Sequence, residues 1–434
     1  MDRITVSSDK EFDSAVSQVC RLAASTDADR AIAEKIEATR AIVSAVRELG
    51  DDAVADYTKR FDGVDLSPEQ FEVAQDEIEA AANTVDPDLI RSLERAHDNI
   101  RRFHSKNLRE SWEEELEDGT ILGQRITAIE SAGVYVPGGK AFYPSSVLMN
   151  IVPARVAGVE EIVMVSPPSH EGGIHPVVLA AAKIAGATRV FRIGGAQAIA
   201  ALAYGTETIP QVLKITGPGN TFVTVAKTLV RSVVDIDTEA GPSEVTVIAD
   251  ESANPRMIAG EMLAQAEHDE EATSILITTS EDLCERVAVA LEDEVESLSR
   301  KEIIQKSLNA NGAMIVVRDL DEAAKLSNLI APEHLAIYTQ DPRYVYDRIT
   351  NAASIMLGEA TTVVLGDYIA GPNHILPTGR RARFASPLTA EDFRKVSSVL
   401  SFTPERVKDV ADDVLRLARA EGLTAHARAV EMRQ

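Results

Sequence analysis

Cysteine is almost absent from this chain. Cys20 and Cys284 are the only two in 434 residues, and they stand far apart in sequence. That excludes a framework of several disulfides and a multi-cysteine zinc site, so any metal would be held by nitrogen and oxygen. Lysine is scarce as well: arginine outnumbers it 31 to 13, and the 69 acidic residues outnumber both together. A formal net charge of −25 and a pI of about 4.8 argue against nucleic acid as a partner. Dense carboxylate with little lysine suits a protein kept soluble in high salt, where screening weakens self-repulsion. An acidic proteome encoded by GC-rich DNA gives the same bias. No apolar run approaches the roughly 18 to 20 residues that cross a bilayer. Met1-Asp2-Arg3-Ile4-Thr5 lacks the basic-then-apolar order of a signal peptide. The expectation is a soluble, cytoplasmic protein with no membrane partner.

What the chain does contain is alternation. Its length allows about two or three domains, and 45% hydrophobic residues can fill their cores. The first part, to about residue 120, reads as largely helical. Ser67-Pro68-Glu69-Gln70 combines an N-cap, a proline at the first helical position and a capping-box glutamine. From about Ile126 the pattern changes. Glu161–Ser166 reads as a strand, Val177–Ala185 as a helix and Arg189–Ile193 as a strand, with another helix after Gly194-Gly195. The rhythm recurs in the strand Glu244–Ala249, a helix from about Asn254, and the strands Ser274–Thr278 and Met314–Val317. Strands alternating with helices imply an α/β fold with parallel sheets covered on both faces. Two such series suggest two related Rossmann-like units, an old duplication, with helical segments at both ends. The stretch from about Ala390 reads as helix.

Candidate chemistry gathers around the last four of the eight histidines. Ala331-Pro332-Glu333-His334-Leu335 sets two different proton carriers side by side, capable of two separate transfers. Pro332 biases Ala331 toward an extended conformation. A solvated charged pair is the alternative. Gln265 and His268 share one helix face, where an amide oxygen and an imidazole could reach one metal ion; a polar helix end is the competing explanation. The loop Gly366–Thr378 offers Asp367 and His374 as a ligand and a supporting donor, or is a tight structural turn. Glu421 and His426 lie near the C-terminus, where a packed tail is the usual finding. Gly194-Gly195-Ala196-Gln197, Gly217-Pro218-Gly219-Asn220 and Tyr135-Val136-Pro137-Gly138-Gly139 follow strand-like runs, and none is GxGxxG. Their glycines permit close backbone approach to a ligand, or form ordinary turns.

Together with Ala240-Gly241-Pro242-Ser243-Glu244-Val245, these runs fall in an order that resembles the histidinol dehydrogenase family across about 135–426. The resemblance implies oxidation of L-histidinol to L-histidine with two NAD per turnover, the last two steps of histidine biosynthesis. It implies one zinc ion per subunit, held by Gln265, His268, Asp367 and His426. The implied substrate contacts are Ser243, Gln265, His268, His334, Asp367, Glu421 and His426, and Tyr135, Gln197 and Asn220 would contact NAD. His334 would be the repeated base and Glu333 the activator of water. The family's homodimer would bring Glu421 and His426 to the partner's site. The corresponding division places a helical segment at 1–28, one α/β domain at 29–134 with 243–388, a second, on the NAD side, at 135–242, and C-terminal segments at 389–434. Arg380-Arg381 after Gly379 departs from the smaller residues expected there. A zinc hydrolase using Glu333, or a non-catalytic zinc- or nucleotide-binding protein, are the competing readings; the chain has no HExxH helix.

Overall fold

Two all-parallel sheets carry the molecule. The computed structural model describes residues 1–22, 29–138, 142–238 and 241–434, so Gly139, Ala240 and the end of the 1–28 segment lie outside the described residues. The five-stranded sheet runs Arg189–Phe191, Glu161–Val165, Ser131–Tyr135, Lys214–Thr216, Asp235–Ile236. The six-stranded sheet runs Asp2–Thr5, Gly312–Val316, Thr273–Thr278, Glu244–Ala249, His334–Tyr338, Ser354–Leu357. Numbered along the chain, the first has the order 3-2-1-4-5. So does the second once the added edge strand Asp2–Thr5 is set aside. The same strand order twice supports the duplication read from the alternating pattern.

Each sheet is covered on both faces because its strands are apolar throughout. In Glu244–Ala249, Val245 and Val247 enter one core with Leu276, Met314 and Ala336, under the helices Pro255–Ala266 and Glu281–Val295. Ile248 turns to the other core with Ile275, Ile277, Ile315 and Ile337, beneath Leu320–Ile330 and Asp9–Leu22. This is the period of two that a strand imposes. Each such fully buried aliphatic side chain contributes about 1.5–3 kcal/mol.

The helices that follow residue 29 pack on the five-stranded sheet. Ile42, Val43, Val46, Ala53 and Val54 pack with Tyr135, Val163 and Val165. Leu93, Ala96 and Ile100 pack with Ala132, Val134 and Met164. The helices between 29 and 105 thus share cores with the five-stranded sheet, whose faces their apolar stripes need, and the core around Leu93, Ala96 and Ile100 also takes in Ile375 and Leu388 of 243–388. The segment 1–28 opens with the strand Asp2–Thr5, which extends the six-stranded sheet beside Gly312–Val316.

Two local readings also change. Gln70 Oε1 accepts from the Ser67 N–H at 2.9 Å, as a capping box requires, yet the helix is a single turn, Pro68–Gln70. Sheet pairing stops it: Arg192 N–H donates to Phe71 O and Val73 N–H to Val190 O, both at 2.8 Å, with Phe71 fully buried. Past Ala390 the chain forms a strand, Arg394–Ser401, before it returns to helix. That strand pairs antiparallel with Ile121–Ala128, which also pairs with Trp112–Glu115.

Candidate active site

Glu333 and His334 stand at the amino end of the strand His334–Tyr338. The helix Leu320–Ile330 before them ends at Ala331, which takes φ +52° and ψ +62°. The extended conformation expected for Ala331 is not what forms. Pro332 keeps the helix from continuing, and a left-handed residue turns the chain back into the sheet. A non-glycine residue held there stores on the order of 1 kcal/mol of strain, retained because Ala331 is wholly buried.

Parallel pairing then sets His334 beside Val245. This places Glu244 where both of its peptide groups are used. Its N–H donates to Glu333 Oε2 at 2.8 Å, and its carbonyl lies 3.2 Å from His334 Nδ1. A carbonyl only accepts, so Nδ1 carries the proton and Nε2 has a free lone pair. Nε2 faces Asp367 Oδ1 at 3.9 Å. Burial lowers His334 to about 3, with His268 and His374 adding to the effect, so the ring is neutral at physiological pH. Burial moves Glu333 the other way, well above the usual carboxylate range, and the Glu244 and Asp367 carboxyls reinforce it. The two groups are a base with an open nitrogen and a carboxyl primed to hold a proton.

Three of the four expected metal ligands lie nearby. Gln265 lies on the last turn of Pro255–Ala266, only 2% exposed, and its Nε2 has no partner. His268 follows the helix end and folds back, its Nδ1 3.0 Å from Ala264 O and 3.3 Å from Gln265 O. That contact leaves His268 Nε2 outward. Asp367, on the short helix Val363–Tyr368, is raised to about 6, chiefly by burial, with His268 opposing. An imidazole, a carboxyl and an amide oxygen are the ligand types that suit a zinc-like ion. Among the described residues no group of three His, Cys, Asp or Glu side chains is placed to hold a metal ion. His374 supports Asp367: its Nδ1 lies 3.0 Å from the Asp367 carbonyl and its Nε2 3.4 Å from Ser146 Oγ. Ser243 is half-buried beside Glu244, its carbonyl accepting from Thr273 N–H.

Glu421 and His426 are not brought to this group within one chain. Glu421 caps the helix Pro404–Ala420, and His426 lies on Thr424–Glu431; both are exposed. Their helices share a small core of their own, Leu415, Ala418 and Ala427.

Tyr135, Gln197 and Asn220 meet at the carboxyl edge of the five-stranded sheet, at its 1–4 switch point, where open α/β sheets bind ligands. Tyr135 Oη accepts from Gly195 N–H at 3.2 Å. Gln197 is fully buried, yet neither polar atom of its amide has a partner. Asn220 caps Thr221–Val230, accepting from Val223 N–H at 3.2 Å.

Sequence reasoning missed several supporting residues. Lys227 and Asp237 form a buried ion pair that grips both sides of residue 217: Gly217 N–H donates to Asp237 Oδ2 at 2.7 Å, and Lys227 Nζ donates to Gly217 O at 3.1 Å. Buried Glu261 accepts from Tyr338 Oη and from Val363 N–H, holding the start of the Asp367 helix. Asp62 leaves Oδ2 unpartnered near Tyr135. Glu244 itself was legible as the one charge in an otherwise uncharged strand.

Two expectations follow. Gly217 has φ +114°, and a Cβ there would overlap the Tyr135 carbonyl oxygen. Gly217→Ala should therefore cost about 2 kcal/mol or more in urea unfolding. In nitrogen NMR, the His334 ring should keep the neutral Nδ1–H form from pH 8 down to about pH 5. A ring titrating near its ordinary value would overturn the assignment.

Comparison with known proteins gives the family. A model of the family described as histidinol dehydrogenase matches residues 25–434. The chain is 54% identical to the histidinol dehydrogenase of Aquifex aeolicus over 398 residues, 92% of each chain. It is 51% identical to that of Bacillus cereus over 392 residues, 90% of this chain and 91% of the relative. The crystal structure of histidinol dehydrogenase from Elizabethkingia anophelis superposes with a TM-score of 0.93 at 34% identity, covering 100% of this chain and 98% of that one. The chain belongs to the histidinol dehydrogenase family.

Proposed function

We propose that the protein oxidises L-histidinol to L-histidine through bound L-histidinaldehyde, consuming two NAD per turnover, in the cytoplasm. The observation that carries this reading is the neutral His334 imidazole with Nε2 free, beside a separately buried Glu333 carboxyl. Two oxidations with a hydration between them need one repeated base and one activator of water.

In the first oxidation His334 Nε2 takes the alcohol proton as the carbinol hydride leaves. Nδ1–H, fixed on the Glu244 carbonyl, steadies the imidazolium that forms. After His334 releases that proton to solvent, Glu333 in its ionised form accepts one from the water that adds to the aldehyde carbon. His334 Nε2 then takes a hydroxyl proton from the hydrate as the second hydride leaves. NAD supplies the hydride acceptor in both oxidations. Tyr135, Gln197 and Asn220 are the residues to hold it, and the unpartnered amide of Gln197 fits a polar ligand.

Gln265, His268 and Asp367, with His426 of the partner subunit, would hold one zinc ion. Zinc is redox-inert and when bound would anchor the substrate's polar groups as a Lewis acid. The outward Nε2 of His268 fits that role, and the buried Gln265 amide could add its oxygen. Ser243 and Glu421 of the partner subunit complete the substrate contacts. The exposure of both Glu421 and His426 on a terminal hairpin supports a homodimer with shared sites.

Glu333→Gln should slow oxidation of supplied histidinaldehyde by about 100-fold or more, and histidinol oxidation much less. Equal losses in the two half-reactions would remove Glu333 from its role. His426→Asn should lower zinc content by metal analysis. Mixed with Glu333→Gln it should regain activity, because each heterodimer rebuilds one intact site. Confirmed heterodimers without recovery would exclude shared sites.

A further inference from the structure

Glu244 carries more than main-chain contacts. Its side chain is 5% exposed, and Oε1 accepts from Gly379 N–H at 2.8 Å. Oε2 is buried with no partner. The Gly379 tether is reinforced next door, where Gly241 N–H donates to Thr378 Oγ1. A second ionisable carboxyl thus belongs to the residue whose main-chain N–H holds Glu333 Oε2, and both carboxyls are buried in the same place. Desolvation penalises charge on each, and charge on one opposes charge on the other.

We propose that Glu244 is the positioning residue of the reaction's water-activating base, its side chain deciding whether Glu333 carries charge while its main chain fixes Glu333 and His334. This rests on the reading of Glu333 given above.

The surroundings suit one negative charge shared between two carboxyls. Glu333 faces Glu244, its neighbour His334, and Asp367 from the short helix. Glu244 also faces Arg380 and Arg381 in the loop after Gly379, both favouring its ionised form. His268 and His374 lie beyond His334. Burial raises Glu244 to about 7, so it changes charge near neutrality, where Glu333 must work. An ionised Glu244 makes Glu333 the stronger base by raising the free energy of its carboxylate. The Arg380-Arg381 pair has a place in this scheme: Arg380, at φ +66°, donates through Nη2 to Leu329 O at 3.1 Å and is anchored beside the site.

The test uses Glu244→Gln in the zinc-loaded dimer. Glutamine still offers Gly379 an acceptor but cannot ionise. The infrared carboxyl band of Glu333, assigned by its loss in Glu333→Gln, should titrate at least about one pH unit lower in Glu244→Gln than in the parent. The acid limb of aldehyde oxidation should move down with it, while the limb of alcohol oxidation stays. Glu244→Asp should restore the parent midpoint. A purely structural role would lower both rates and move neither midpoint. An unmoved Glu333 band in Glu244→Gln overturns the proposal. The infrared shift needs no substrate, so a shifted band in a protein that failed to oxidise histidinol would support the carboxyl pair and sink only the assigned reaction.

Discussion

The parallel pairing of Glu244–Ala249 with His334–Tyr338 is the constraint on which the rest depends. It fixes residue 244 opposite residues 333 and 334, and one peptide unit on each side of a single Cα then serves both proton carriers. The N–H holds a carboxylate oxygen and the carbonyl selects an imidazole tautomer. A shift of one residue would turn Val245 and Val247 out of their core, so hydrophobic burial locks the geometry of the polar groups. Precision in the site is thus inherited from packing several residues away.

The two units use one strand order in opposite senses. The five-stranded sheet presents carboxyl ends at its switch point, where Tyr135, the Gly194-Gly195 turn and Gly217–Asn220 gather. The six-stranded sheet presents amino ends, Glu244 and His334, to the candidate site. The loop after Val363–Tyr368 reaches between the units: Asn373 Nδ2 donates to Met149 O at 2.6 Å, and Asn99 Nδ2 to Ile369 O at 2.8 Å. Asp367 and His374 lie on that bridge.

Much of this was legible in the sequence where a signal is local. The strand Glu244–Ala249 and the N-cap Asn254 fall where apolar runs and turn chemistry place them. The turn at Pro68–Gln70 misled because a correct cap lost to long-range pairing with 190–192, which no local pattern records. Arg394–Ser401 escaped because its faces are mostly exposed and its partner lies far back at 121–128. Within the site, titratable residue types announced Glu333, His334 and Asp367. The roles of Lys227 and Asp237 did not show, since a buried ion pair ten residues apart looks like two surface charges until the sheet closes over it. Ala331 defied its proline because the helix-to-strand reversal demands a left-handed residue whatever stands there.

The terminal hairpin has a thermodynamic consequence. Ala411, Leu415, Ala418 and Ala427 are its buried apolar residues, and their burial supplies on the order of 5 kcal/mol. Ordering the backbone of two helices costs roughly 1–2 kcal/mol per residue before hydrogen bonds are counted. Leu417 remains 67% exposed and Met432 73%. Such a hairpin is unstable in isolation, and its folding is coupled to whatever covers those side chains. Helix content in the last residues then follows how far those apolar side chains are covered.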